Sequence, residues 1–231
     1  LAIFIVIEKR THSPLLDFKL MTSKSFILPT IILMLVFMSI FMVYLTIPVM
    51  VRSPEPPGFG GNAIAVASVQ LPFMIVLLVG TIMSGFILNR VKNTTLMLIG
   101  TVISTAGFFV LLNFHSTENM VSIGLTILAA GLSLSIGGFN VILLSVPIQM
   151  TGIALGMTLL LNLVGMSLGP ALSGALQETY KGTVPGVPGL FPTDHAYSLI
   201  FITAALVSLG SAAMALSVSR IRINKATIMN D

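Results

Sequence analysis

Six long stretches of this chain contain no Asp, Glu, Lys, Arg or His, and they decide what it can fold into. They run at about 26–47, 63–88, 94–113, 120–146, 152–177 and 196–218. An α-helix rises about 1.5 Å per residue. Bilayer hydrocarbon is about 30 Å thick, so about 20 apolar residues cross it. Each stretch is long enough. Strands of a membrane β-barrel would be about ten residues long and would alternate polar with apolar side chains. These stretches do neither, so they read as transmembrane helices.

Composition agrees. Of the 231 residues, 55% are hydrophobic and 8% charged, whereas soluble domains carry about 25% charged residues. A soluble fold of this size could not cover itself with so few charges. The expected fold is an all-α membrane protein, a bundle of six transmembrane helices, with the lipid bilayer as its solvent. The net charge of +4 does not point to nucleic acid. The cations are scattered and lack aromatic interleaving. Cys is absent, which removes disulfides, thiolate nucleophiles and Cys metal sites. Trp is absent too, leaving Tyr44, Tyr180 and Tyr197 as interfacial aromatics.

The connections are punctuated by helix breakers. "PVMVRSPEPPGFGGN" (48–62) and "ETYKGTVPGVPGLFPTDH" (178–195) are rich in Pro and Gly and are expected to end helices. "HSTEN" (115–119) and "PIQMT" (147–151) are short, which predicts antiparallel neighbours on either side. Asn93 and Asn119 are predicted N-caps. Lys24, Arg90, Lys92, Arg220, Arg222 and Lys225 fall on one side of the alternating helices, with Lys9, Arg10 and Lys19 ahead of them. Only Arg52 and Lys181 fall on the other. The positive-inside rule makes the first side cytoplasmic. Both ends of the six-helix unit are then expected inside a plasma membrane, and "SGFILNRVKN" (84–93) is a cytoplasmic turn.

Residues 1–7, "LAIFIVI", are too short to span and read as the end of a preceding transmembrane helix. Residues 8–25 read as a cytoplasmic linker and 219–231 as a cytoplasmic tail. The chain is expected to be the C-terminal part of a longer polypeptide whose N-terminal part is missing.

Two helices carry small and polar stripes. Thr126, Ala130, Ser133, Gly137 and Asn140 share one face of the fourth, and Thr158, Asn162, Gly165 and Gly169 share one face of the fifth. Such stripes serve close helix packing, where one Asn bonds across an interface for about 1 kcal/mol. They also line polar routes through membranes. The pairs Gly152/Gly156 and Gly165/Gly169, with Gly174 beyond Pro170, argue for packing. Phe37, Phe41 and Tyr44 share a face of the first helix and suit either lipid or the wall of an apolar substrate cavity. Gln70, near the end of the second helix, reads as an interfacial amide.

No catalytic constellation emerges, and the chain does not read as an enzyme. His12, His115 and His195 all lie in connections, away from any intramembrane Ser nucleophile. Their separation also argues against a metal site, and no phosphate loop is present. No cofactor is expected. The spans hold no carboxylate, so a coupling charge, if the chain belongs to an ion-coupled carrier, would lie outside it.

Three stretches together resemble the fourteen-helix drug:proton antiporter branch of the major facilitator superfamily. "EKRTHSPLLDFKL" (8–20) is similar to that branch's cytoplasmic linker, with Glu8, Pro14, Leu15, Leu16, Asp17 and Leu20 matching and Phe18 in place of Leu. "GFILNRVKN" resembles the Gly-x-x-x-Asp-Arg-x-Gly-Arg gate turn. Gly85 and Arg90 match, Asn89 replaces the Asp, and the second Gly is lost. "GIALGMTLLLNLVGMSLGPALSGAL" resembles the glycine-rich penultimate helix, and "FPTDHAYSLIF" the approach to the last one. The resemblance implies a C-terminal half built of two inverted three-helix repeats. It implies a multidrug efflux antiporter, with a small-molecule substrate, protons in exchange, and a matching N-terminal half. Helices one, two, four and five would line the pathway, bringing Asn140, Asn162, Ser133, Thr158, Phe37, Phe41 and Tyr44 towards substrate. Helices three and six would face lipid. The Asn at position 89 would weaken the gate by removing a charge. A six-helix membrane scaffold or accessory subunit that transports nothing is the alternative.

Overall fold

The structure, a computed structural model, describes residues 18–228, with side chains described over 20–220. The expected end of a preceding helix and the linker positions Glu8 to Asp17 lie outside the described residues. Among the described residues, six helical spans are long and apolar enough to cross a membrane: Lys24–Arg52, Ala63–Ile87, Asn93–Asn113, Glu118–Leu143, Ile148–Thr179 and Asp194–Arg220. They are called the first to sixth spans below. This is the pattern of a multi-pass membrane protein. A short helix, Phe18–Thr22, precedes the first span, and its Leu20 packs with Phe26, Leu33, Ile142, Ala154 and Met157.

Several boundaries differ from the sequence reading. The first span does not stop at Pro48. It breaks after Tyr44 and resumes as Ile47–Arg52, with the proline in its first turn, where a missing N–H is tolerated. The fourth span likewise runs as Glu118–Ser135 and Gly137–Leu143, divided at Ile136. Residues 178–195 do more than break a helix. They hold an antiparallel hairpin, β1 (Lys181–Val184) and β2 (Val187–Pro192). The last helix continues to Ile228, through most of the expected tail. Asn93 lies inside its helix behind Lys92, and Thr117 rather than Asn119 caps the fourth span. Asn62 is the strong cap, accepting from the Ile64 and Ala65 amides at 3.0 Å each.

Packing does not follow chain order. The second span lies on the fourth, the fourth on the third, the third on the sixth, the sixth on the first, and the first on the fifth. The fourth and fifth spans, joined by the short connection at 147–151, meet mainly near that connection, where Ile142 packs with Ala154 and Met157. The second and fifth spans end the series and are the most open. Only 11% of the second span's most apolar window is buried and 33% of the fifth's, against 56% for the first and fourth. The third span shows one exposed apolar face at Ile99, Val102 and Phe109, and the sixth shows one at Ile202, Leu206, Leu209 and Leu216.

Glycine sets the closest crossings. A β-carbon on Gly165 would lie 2.4 Å from the Met34 carbonyl oxygen, and one on Gly169 2.2 Å from that of Met38. The fifth span therefore rests directly on the first span's backbone. The third and fourth spans meet in the same way, where a β-carbon on Gly100 would lie 2.4 Å from the Ser135 nitrogen and one on Gly131 2.5 Å from the Ser104 nitrogen. Gly152, Gly156 and Gly174 meet nothing within 4 Å, so the packing expected of them is not made within this bundle. Replacing Gly169 by Ala should lower stability by about 1–3 kcal/mol through overpacking. Gly174→Ala should stay within about 0.5 kcal/mol. Reversible unfolding in mixed micelles measures both.

Candidate functional site

In hydrocarbon, each polar group needs a partner from the protein itself. Most hydroxyls of the spans find one a turn back along their own helix. Ser133 donates to the Ala130 carbonyl and Thr158 to that of Ala154, both at 2.8 Å, and Thr126 donates to Ser122 at 2.7 Å. Two of the predicted pathway groups, Ser133 and Thr158, are thus already satisfied. A buried pair, Thr105 and Ser208, ties the third span to the sixth at 2.8 Å.

The break in the first span is a polar centre that composition did not reveal. Pro48 has no N–H to offer the Tyr44 carbonyl four residues back. The Gln70 side-chain amide of the second span donates to that oxygen instead, at 3.0 Å. From the fifth span, Gln177 donates to the Thr46 hydroxyl at 3.4 Å, and Thr46 itself donates to the Met42 carbonyl at 2.8 Å. Two glutamines from the two open spans therefore converge on one break. Gln70, expected as an interfacial amide, clamps the second span to the first. The Pro48-to-Gln70 relation was findable in the sequence only as a proline with an unassigned amide elsewhere.

Phe37, Phe41 and Tyr44 are half-buried and form a ladder with centroids 6.2 Å apart at each step. The ladder ends on Phe73 of the second span, 4.8 Å from the Tyr44 ring. It therefore runs along the first span towards the second.

The fifth-span stripe is that span's buried face. Ala154, Thr158, Asn162, Gly165, Gly169 and Ser173 are all buried, and the two central glycines place this face against the first span. Asn162 is 3% exposed, and neither its amide nitrogen nor its amide oxygen has a hydrogen-bond partner among the described residues. Leaving such a buried group unpaired costs about 1–3 kcal/mol.

The fourth-span stripe does not stay on one face, because the helix divides at Ile136. Ser133 and Ala130 line an apolar groove of about 390 Å³ against Val76, Val79 and Gly80 of the second span. Gly137 instead meets Leu96 of the third span, and Asn140, half-buried, follows on the second segment. Ser133 thus faces the second span, whereas Asn162 lies on the face that the fifth span turns to the first.

At the turn after the second span, the amides of Arg90 and Val91 both bond back to the Ile87 carbonyl, at 2.9 and 3.0 Å. Asn89 and Arg90 are exposed. Gly85 is also exposed, and a β-carbon there would meet nothing within 4 Å, so no close packing requires it to be glycine.

No protein-family model matches this sequence, and no curated protein matches it.

The two kinds of buried amide predict opposite signs. Gln70→Leu leaves the Tyr44 carbonyl unpaired and should destabilise by about 1–3 kcal/mol. Asn162→Leu removes two unpaired polar atoms at similar volume and should stabilise by about 1 kcal/mol. Unfolding of both variants in the same lipid or micelle decides it.

Proposed function

We propose that this chain is the six-helix C-terminal part of a secondary transporter of the major facilitator type. In this reading it exports small hydrophobic compounds by alternating access, in exchange for protons. The observation that carries the reading is Asn162, an amide enclosed among membrane-spanning helices with nothing to bond. A purely structural site would have been filled by an apolar side chain or given a partner. An amide kept unpaired is in place for a group that arrives, either substrate or the water that travels with it, when the first and fifth spans part.

The packing order supports the same reading. Exchange the first span with the fourth, the second with the fifth and the third with the sixth, and every main contact is returned. The series second–fourth–third–sixth–first–fifth becomes itself reversed. Two three-helix repeats related by a two-fold axis in the membrane plane would pack in this way. The second and fifth spans, left open at the ends, are the surfaces on which an N-terminal six-helix bundle would close. Gly152, Gly156 and Gly174, which meet nothing here, are small residues of the kind that let a second bundle approach. In this reading Arg90 and Lys92 lie on the cytoplasmic side of the plasma membrane, in keeping with the positive-inside rule.

The test is transport by the full-length polypeptide in vesicles, using a panel of hydrophobic cations and acids. Asn162→Leu should lower transport about tenfold, the equivalent of one lost hydrogen bond at about 1.4 kcal/mol, while inserting normally. Unchanged transport by a stable Asn162→Leu protein would overturn the role of Asn162. Absence of any transport by the parent protein would favour the scaffold reading.

A further inference from the structure

The end of the bundle opposite Arg90 and Lys92 holds a cavity of about 620 Å³, lined by Glu55, Pro56, Phe59, His115, Ser116 and Asp194 among others. No Lys or Arg lines it. His115 belongs to the connection between the third and fourth spans, and Asp194 begins the sixth. His115 is 15% exposed at its side chain and Asp194 70%. The imidazole stands edge-on to Phe201, with centroids 5.2 Å apart, which fixes its plane.

Both ring nitrogens face oxygen. Nδ1 lies 2.9 Å from the Leu111 carbonyl, and Nε2 lies 3.3 Å from Asp194 Oδ1. A carbonyl oxygen only accepts, so Nδ1 carries the hydrogen. A neutral imidazole then turns its Nε2 lone pair towards a carboxylate oxygen, and two acceptors oppose each other. The contact bonds only when the pair holds one further proton, on Nε2 or on the carboxyl group.

We infer that His115 and Asp194 form a proton-binding site whose loading clamps the third–fourth connection to the start of the sixth span. The proton comes from water on that side of the membrane. Loading forms one hydrogen bond between the two side chains and leaves the Leu111 bond in place. Unloading returns the proton to water and opens the clamp. Glu55, from the connection between the first and second spans, adds a second carboxylate to the cavity wall. Glu118 opens the fourth span just after His115, and Arg52 closes the first span at the same end of the bundle. The cation nearest in the hairpin, Lys181, is paired with Glu178. His195 is engaged edge-on with Tyr180, and the Tyr197 hydroxyl with Ser53 at 3.1 Å. The clamp is closed when the pair holds its proton and opens when the proton leaves, so its state follows pH. This holds whichever solute the bundle handles, and also if it handles none.

Amide hydrogen exchange of the full chain in nanodiscs tests it, at about pH 5.5 and about pH 8, corrected for intrinsic chemical exchange. Segments 114–118 and 194–198 are read separately from the rest. The parent protein should lose roughly three-fold protection there at the higher pH, as suits one partly exposed ion pair. His115→Phe keeps the ring against Phe201 and should be open at both pH values. Asp194→Asn can donate its amide to neutral Nε2 and should be closed at both. Equal protection of the parent at the two pH values would overturn the proposal. So would an Asp194→Asn protein that keeps the full pH difference.

Discussion

Apolar helices in a lipid solvent gain little by hiding from it, because lipid tails are as apolar as leucine. What holds this bundle together is therefore backbone meeting backbone. The fifth span reaches the first at Gly165 and Gly169, and the third reaches the fourth at Gly100 and Gly131. Dispersion contacts are individually worth about 0.1–0.2 kcal/mol and fall away over a fraction of an ångström. A single β-carbon at such a crossing forces the helices apart along their length. The packing series, and with it the position of every polar group, follows from these few crossings.

The same constraint makes the exceptions informative. Most hydroxyls in the spans are satisfied a turn back on their own helix, and the break in the first span is satisfied by amides from two neighbours. Against that background Asn162 stands out, because its amide is buried without a partner. Ser104 Oγ is similarly unpartnered, but it lies within the tight crossing of the third and fourth spans, where a hydroxyl occupies little more room than a hydrogen and a methyl carbon. A primary amide has no such steric reason to be there. The contrast between these two residues is what ties the functional reading to the fold.

Much of the fold was legible because length and the absence of charge define a membrane span whatever surrounds it. The finer features were not. Gly152/Gly156 and Gly165/Gly169 have identical spacing, yet only the second pair meets a neighbour. Spacing gives a helix face but not what that face meets. The crossing at Gly100, Ser104 and Gly131 is written in small residues at helical intervals, but less densely than the fifth span's glycines. The fourth-span stripe looked continuous because Gly137 fits a small-residue face as well as it marks, with Gly138, a break after Ile136. The side-by-side placement of His115 and Asp194, 79 positions apart, depends on the sixth span packing against the third. Chain order alone gives no hint of that.

The account rests on neighbours in space being different from neighbours in sequence, and cross-linking reads this directly. The chain has no cysteine, so an introduced pair is unambiguous. A β-carbon on Gly80 of the second span would lie 2.9 Å from the Ser133 β-carbon of the fourth, a small shift from the roughly 3.5–4.5 Å that a disulfide requires. Gly80→Cys combined with Ser133→Cys should form a disulfide readily in the membrane, while cysteine pairs between the second and third spans should not. Failure of the first pair, together with efficient cross-linking of the second span to the third, would contradict the packing order and the transporter reading built on it.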